Sequence, residues 1–135
     1  MNTIIVGFDG SEHSERALER AASIAGGASL VVVSAVRLAR KSGDTGSSPV
    51  EPTDAEAAGD ALEKAKTLVA GKGGNVRFVE RHGDPADALV QQAEEDKAGL
   101  IVVGTRGLNF AQRALLGSVS TKVIHHATCD VLVVR

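Results

Sequence analysis

Thr3-Ile4-Ile5-Val6-Gly7-Phe8-Asp9-Gly10-Ser11 is followed at once by EHSERALERAASIAGG at residues 12–27. The nearly continuous apolar run from Thr3 to Phe8 predicts a short strand covered on both faces. Asp9-Gly10-Ser11 then makes a turn that also caps a helix. From Glu12 to Ala25 the apolar residues Ala17, Leu18, Ala21, Ala22, Ile24 and Ala25 recur at helical spacing, and Gly26-Gly27 stops the pattern. Strand followed by helix is the first half of a βαβ unit, so the next strand should lie parallel to the first.

The rest of the chain repeats that alternation. Leu30 to Val36 is rich in β-branched residues and reads as a second buried strand. Between Arg37 and Thr53 periodicity vanishes and Gly, Ser and Pro accumulate, which predicts a long mobile loop rather than a domain boundary. Asp54 to Ala70 is helical and closed by Gly71-Lys72-Gly73-Gly74, and Val76 to Val79 begins a third strand. Pro85, after Gly83-Asp84, suits the first position of a helix running to Asp96 or Lys97, with Ala86, Leu89, Val90 and Ala93 facing inward. Leu100 to Gly104 is the fourth strand, Val119 to Ala127 the last helix, and Val131 to Val134 the fifth strand. The pattern β-α-β-loop-α-β-α-β-α-β predicts a single α/β domain, an open parallel sheet with helices on both faces. Ligands of such sheets bind beyond the carboxyl ends of the strands, where strand order reverses. Asp9 and Gly104 to Ser120 fall at that end.

Composition excludes several classes. The chain has 135 residues, 43% hydrophobic and 24% charged, with a formal net charge of -2. That balance fits one globular core and gives no general pull toward nucleic acid or anionic membrane. Its aromatics are only Phe8, Phe78 and Phe110, too scattered for a base-stacking platform. No apolar stretch approaches the ~18 residues of a membrane span and Met1 to Phe8 lack a basic n-region, so a cytoplasmic protein is expected. The single cysteine, Cys129, fits a reducing compartment. His125 and Cys129 are spaced to share a helix face, but two ligands are too few for zinc.

Two local patterns imitate catalytic sites. Asp44-Thr45-Gly46-Ser47 is similar to an aspartic-protease loop but lacks flanking apolar strands and a second aspartate. Asp9, Ser11 and His13 are triad residue types, yet they are neighbours on one turn without a nucleophile elbow. No catalytic residue is assigned.

The fourth strand is followed by GTRGLNFAQRALLGSVS at residues 104–120. Gly104-x-x-Gly107 lets backbone amides face an anion without a Cβ in the way. Gly117-Ser118 opens the last helix, whose free amides and dipole favour phosphate. The Ser118 and Ser120 hydroxyls add donors, and Arg106 and Arg113 add positive charge. The alternative is structural: a tight turn at Gly104 and Gly107, close packing at Gly117, and an N-cap at Ser118. Neither GxxxxGK[ST] nor GxGxxG is present.

Together, Ile5-Val6-Gly7-Phe8-Asp9-Gly10-Ser11, Gly83-Asp84-Pro85-Ala86, the GxxGx9G[ST] pattern and the ending Cys129-Asp130-Val131-Leu132-Val133-Val134 resemble the universal stress protein family, specifically its ATP-binding branch. The resemblance covers essentially the whole chain. It implies a five-stranded sheet of order 3-2-1-4-5, Rossmann-like and similar to the adenine nucleotide alpha hydrolases, that binds ATP or a related adenine nucleotide (ADP, AMP or cAMP), usually as a homodimer. On this resemblance Gly7 and Asp9 lie by the nucleoside, with Asp9 approaching the ribose. Ala35 reads adenine through its main chain. Gly104, Thr105, Arg106 and Gly107 hold the phosphates with Gly117, Ser118, Val119 and Ser120, together with Mg2+. Asp130 departs from the proline that many relatives carry before the last strand.

The function expected is stress response and regulation. The alternatives are a cAMP-binding member, a slow ATP hydrolase, and an interaction module without nucleotide, which the retained glycines argue against. The wholly apolar run Val131-Leu132-Val133-Val134 lets the C-terminal strand, residues 131–135, pair with a second copy about a two-fold axis if it lies at a sheet edge.

Overall fold

The computed structural model describes residues 2–36, 54–72, 74–105 and 116–135. In chain order the elements are β1 (Thr3–Gly7), α1 (Glu12–Ile24), β2 (Ser29–Val36), α2 (Asp54–Val69), β3 (Val76–His82), α3 (Pro85–Glu95), β4 (Leu100–Gly104), α4 (Ser118–His126) and β5 (Asp130–Val134). The segment 37–53, with its Asp44-Thr45-Gly46-Ser47, lies outside the described residues, as do Arg106, Gly107 and Arg113.

All five strands are parallel and form one sheet of order β3-β2-β1-β4-β5. Parallel strands alternate their side chains between two covered faces. Ile4, Val6, Leu30, Val32, Leu100 and Val102 pack on one face with Ala17, Leu18 and Ala21 of α1 and Ala61 and Ala65 of α2. Ile5, Val31, Val33, Ile101 and Val103 pack on the other with Ala86, Leu89 and Ala93 of α3 and Val123 of α4. Ile4, Ile5 and Val6 of the central strand have no exposed surface. That explains the unbroken apolar run with which the chain begins.

Local chemistry sets the helix starts. Ser11 caps α1, its hydroxyl accepting from the Ser14 amide, while the Asp9 carboxylate accepts from the Ser11 amide. Asp84 caps α3 by accepting from the Asp87 amide, with Pro85 in the first turn.

One inward residue was expected wrongly. Val90 is only half-buried, and Ala88 and Gln92 are buried on α3 instead. Gln92 can be buried because both ends of its amide are bonded: Oε1 accepts from Arg81 at 2.8 Å, and Nε2 donates to Asp96 at 2.8 Å. Cys129 also leaves its expected position. α4 ends at His126, and Ala127 has extended backbone, so Cys129 shares no helix face with His125. Among the described residues no group of three or more His, Cys, Asp or Glu is placed to hold a metal ion, and no helix is long and apolar enough to cross a membrane.

Candidate functional site

Strand order reverses between β1 and β4, because the chain first moves outward through β2 and β3 and then returns to β4 on the other side. The carboxyl ends of β1 and β4 therefore flank the crevice where open parallel sheets bind ligands. Asp9 follows β1, and Gly104 and Thr105 end β4.

Thr105 holds this end together. Its amide donates to the Val134 carbonyl of β5 at 2.9 Å, and its carbonyl accepts from the Gly117 amide at 2.6 Å. Its Oγ1 lies 3.3 Å from His13 Nδ1 on the first turn of α1. One buried residue thus ties β5, the start of α4 and the start of α1 across the top of the sheet. These are long-range bonds, which no local sequence pattern signals.

Gly117 is the N-cap of α4, with φ -72° and ψ 168°, and no side chain caps the helix. Its extended backbone is open to any residue, so positive φ does not explain this glycine. Ser118 is exposed and Val119 half-buried, whereas Ser120 is 2% exposed. The Ser120 hydroxyl donates to the Gly117 carbonyl at 3.0 Å, with the Thr105 carbonyl at 3.4 Å. It therefore braces the first turn rather than pointing outward as a donor.

Two glycines of the site are shaped by packing. A Cβ on Gly104 would lie 2.7 Å from the His13 carbonyl oxygen, and one on Gly7 would lie 2.9 Å from Leu89 Cδ1. Ala35 lies near the end of β2, paired with Arg81 of β3. Asp9, Gly104, Thr105 and the α4 start converge on the β1–β4 crevice. Gly7 ends β1 beside them, and Ala35 stands one strand away.

The triad types near Asp9 are engaged elsewhere. Ser11 caps α1, Asp9 accepts from Ser11, and His13 Nδ1 lies near Thr105 Oγ1 and 3.4 Å from Arg16 NH1. Beside the crevice, Lys122 of α4 reaches Asp84 at 3.2 Å and Asp87 at 3.3 Å on α3. Burial alone would raise the Asp84 carboxyl, but the Asp87 amide and the Lys122 ammonium outweigh it and hold it below the usual value. On α2, Lys64 donates to the Gly10 carbonyl at 3.0 Å and pairs with Glu15, fixing the turn that carries Asp9.

The model of the universal stress protein family matches residues 1–135. The chain belongs to the universal stress protein family. It is 38% identical to the universal stress protein Rv1636 of Mycobacterium tuberculosis over 98% of this chain and 95% of that protein. A universal stress protein solved in complex with cAMP is 36% identical, with a TM-score of 0.74, covering 99% of this chain and 97% of the other. The universal stress protein of Archaeoglobus fulgidus in complex with dAMP is 25% identical, also with a TM-score of 0.74, over 100% and 98% of the two chains. As a universal stress protein, the chain has the expected 3-2-1-4-5 sheet.

Proposed function

We propose that this universal stress protein binds ATP in the β1–β4 crevice and acts in the cytoplasm in stress response, holding the nucleotide rather than turning it over. The observation that carries this reading is the junction at Thr105, which sets the side-chain-uncapped start of α4 beside the end of β4 and across from Asp9. Helix amides without a side-chain cap, at a strand-order reversal, make an anion subsite. Asp9 takes the ribose, the Ala35 main chain takes adenine, and Gly104 to Gly107 with Gly117, Ser118, Val119 and the backbone amide of Ser120 take the phosphates. Arg106 and Arg113 supply charge. The relatives solved with cAMP and dAMP support adenine recognition. Mg2+ fits here as an ion carried by the triphosphate and water, since the described residues hold no ligand cluster of their own.

Mass spectrometry of the nucleotide that co-purifies with the protein, followed by calorimetry with ATP, AMP and cAMP, tests the reading. ATP should bind, and Gly117→Leu should abolish binding while the circular dichroism spectrum stays unchanged. ATP affinity unaltered in that variant would refute the assignment. Tighter binding of cAMP than ATP would favour the second reading, which the 36% identical cAMP complex supports.

The same proposal includes a homodimer through residues 131–135. Edge strand β3 carries exposed Arg77, Glu80 and His82, charges that oppose strand pairing, whereas edge strand β5 offers half-buried Val131, Leu132 and Val133. Among the described residues the exposed large hydrophobics are Ile24, at 46%, and Ile124, at 45%. At 100° per residue Ile24 lies half a turn from Glu15, which pairs with α2, and Ile124 lies 200° from Lys122, which pairs with α3. Both lie on the sides of α1 and α4 turned away from those neighbouring helices, and the two helices cover opposite faces of the sheet.

A further inference from the structure

His13 sits where α1 meets the end of β4, at the mouth of the crevice. Its Nδ1 lies 3.3 Å from Thr105 Oγ1 and 3.4 Å from Arg16 NH1. A guanidinium only donates, so the contact with Arg16 requires a lone pair on Nδ1, with the ring proton on Nε2. A threonine hydroxyl can donate or accept. When Nδ1 gains a proton, the Thr105 bond therefore survives by reversing direction, while the Arg16 contact turns into repulsion between two cations.

We propose that His13 is a positioning residue for the phosphate end of this site, holding Thr105 in place and, once protonated, joining Arg16 in favouring polyphosphate. The inference rests on the nucleotide-binding reading above. On α1 the charges beside it are Arg16, 3.4 Å from Nδ1, and Glu12, which pairs with Arg16 at 3.9 Å. Among the described residues, the end of β4 and the first turn of α4 contribute Gly104, Thr105, Gly117 and Ser120, none of them charged. An anion at the start of α4 relieves the repulsion between His13 and Arg16, so anion binding and protonation reinforce each other.

Calorimetry on the full chain with ATP and with adenosine, at pH 7.5 and pH 6.0, tests this in the wild type and in His13→Gln. The titration of ATP itself is common to both proteins and cancels in their ratio. From pH 7.5 to 6.0 the wild type should gain about three- to tenfold in ATP affinity over the variant, with adenosine unaffected in either. Equal pH profiles for ATP would overturn the role of His13 while leaving nucleotide binding intact. Absence of any ATP binding in the wild type would overturn both. Should His13→Gln not fold, NMR of labelled histidines in the wild type decides. At pH 6.5, adding ATP should increase the protonated fraction of His13 and not of His82, His125 or His126, and an unmoved His13 overturns the proposal.

Discussion

The backbone of His13 occupies the space into which a side chain on Gly104 would grow, 2.7 Å from its carbonyl oxygen and 2.8 Å from its carbonyl carbon. The obstacle is main chain at the start of α1, which cannot swing aside as a flexible side chain can. Gly104→Ala should therefore cost about 1–3 kcal/mol through overpacking. Gly59, inside α2, has open space where its Cβ would stand, and Gly59→Ala should stabilise by roughly 0.5–1 kcal/mol through helix propensity. Urea unfolding of the two variants checks both signs, and equal effects would show that Gly104 is not held by α1.

The same contact shows what the sequence could and could not tell. Strands were legible because burial on both faces forces continuous apolar runs such as Ile4-Ile5-Val6. Glycine spacing located the crevice, but not the reason for each glycine: Gly104 is required by α1, and Gly117 has backbone open to any residue. Thr105 looked like one member of a glycine turn, because its bonds to Val134, Gly117 and His13 join segments that only the fold brings together. Gln92 was overlooked for Val90 because an apolar side chain signals burial by itself, whereas a buried amide depends on Arg81 and Asp96 across the layer.

Cys129 gives a chemical prediction. Burial pushes its thiol up from the ordinary cysteine value; its backbone hydrogen bond opposes that, and the neighbouring Asp130 charge adds a smaller upward push. Less thiolate forms near neutrality, so disulfide-exchange reagents should react with it more slowly than with free cysteine at pH 8, with the rate still climbing at higher pH. Reaction as fast as that of an exposed cysteine would contradict the burial.

The bridge from α4 to α3 predicts a pH window. Asp84 is held below its usual value, so its contribution to stability is present above the unfolded carboxyl range near pH 3.9 and fades as pH falls through the folded value. The hydrogen bonds that Lys122 donates to Asp84 and then Asp87 raise its own value, so its share is present below about pH 10.4 and fades as pH rises through the raised folded value. Asp84→Asn keeps the helix cap and removes the charge. Its melting temperature should fall slightly below wild type at pH 7, with the gap narrowing as pH drops below the ordinary carboxyl range and the wild type becomes protonated. Asp84→Ala should lose a further ~1 kcal/mol with the cap. A gap for Asp84→Asn that persists unchanged at pH 3 would mean the bridge contributes nothing.

The two exposed isoleucines test the dimer separately from the fold. Ile24 on α1 and Ile124 on α4 belong to helices that cover opposite faces of the sheet and each touch β5, and each residue is nearly half exposed, so a charged replacement meets solvent in an isolated chain. In a pair joined through β5 the same replacement stands beside the two-fold axis, where the partner's copy of the charge approaches it. Ile124→Glu and Ile24→Glu should leave urea stability of the monomer within about 0.5 kcal/mol, as for surface substitutions generally. Both should weaken self-association tenfold or more, measured by light scattering or sedimentation, because like charges and unsatisfied burial would meet across the interface. Phe78→Glu at the β3 edge would lose its cation-π partner Lys66, 5.6 Å from the ring, and should change stability without changing the association state. Association weakened at β3 but untouched at Ile24 and Ile124 would move the interface to the opposite side of the sheet.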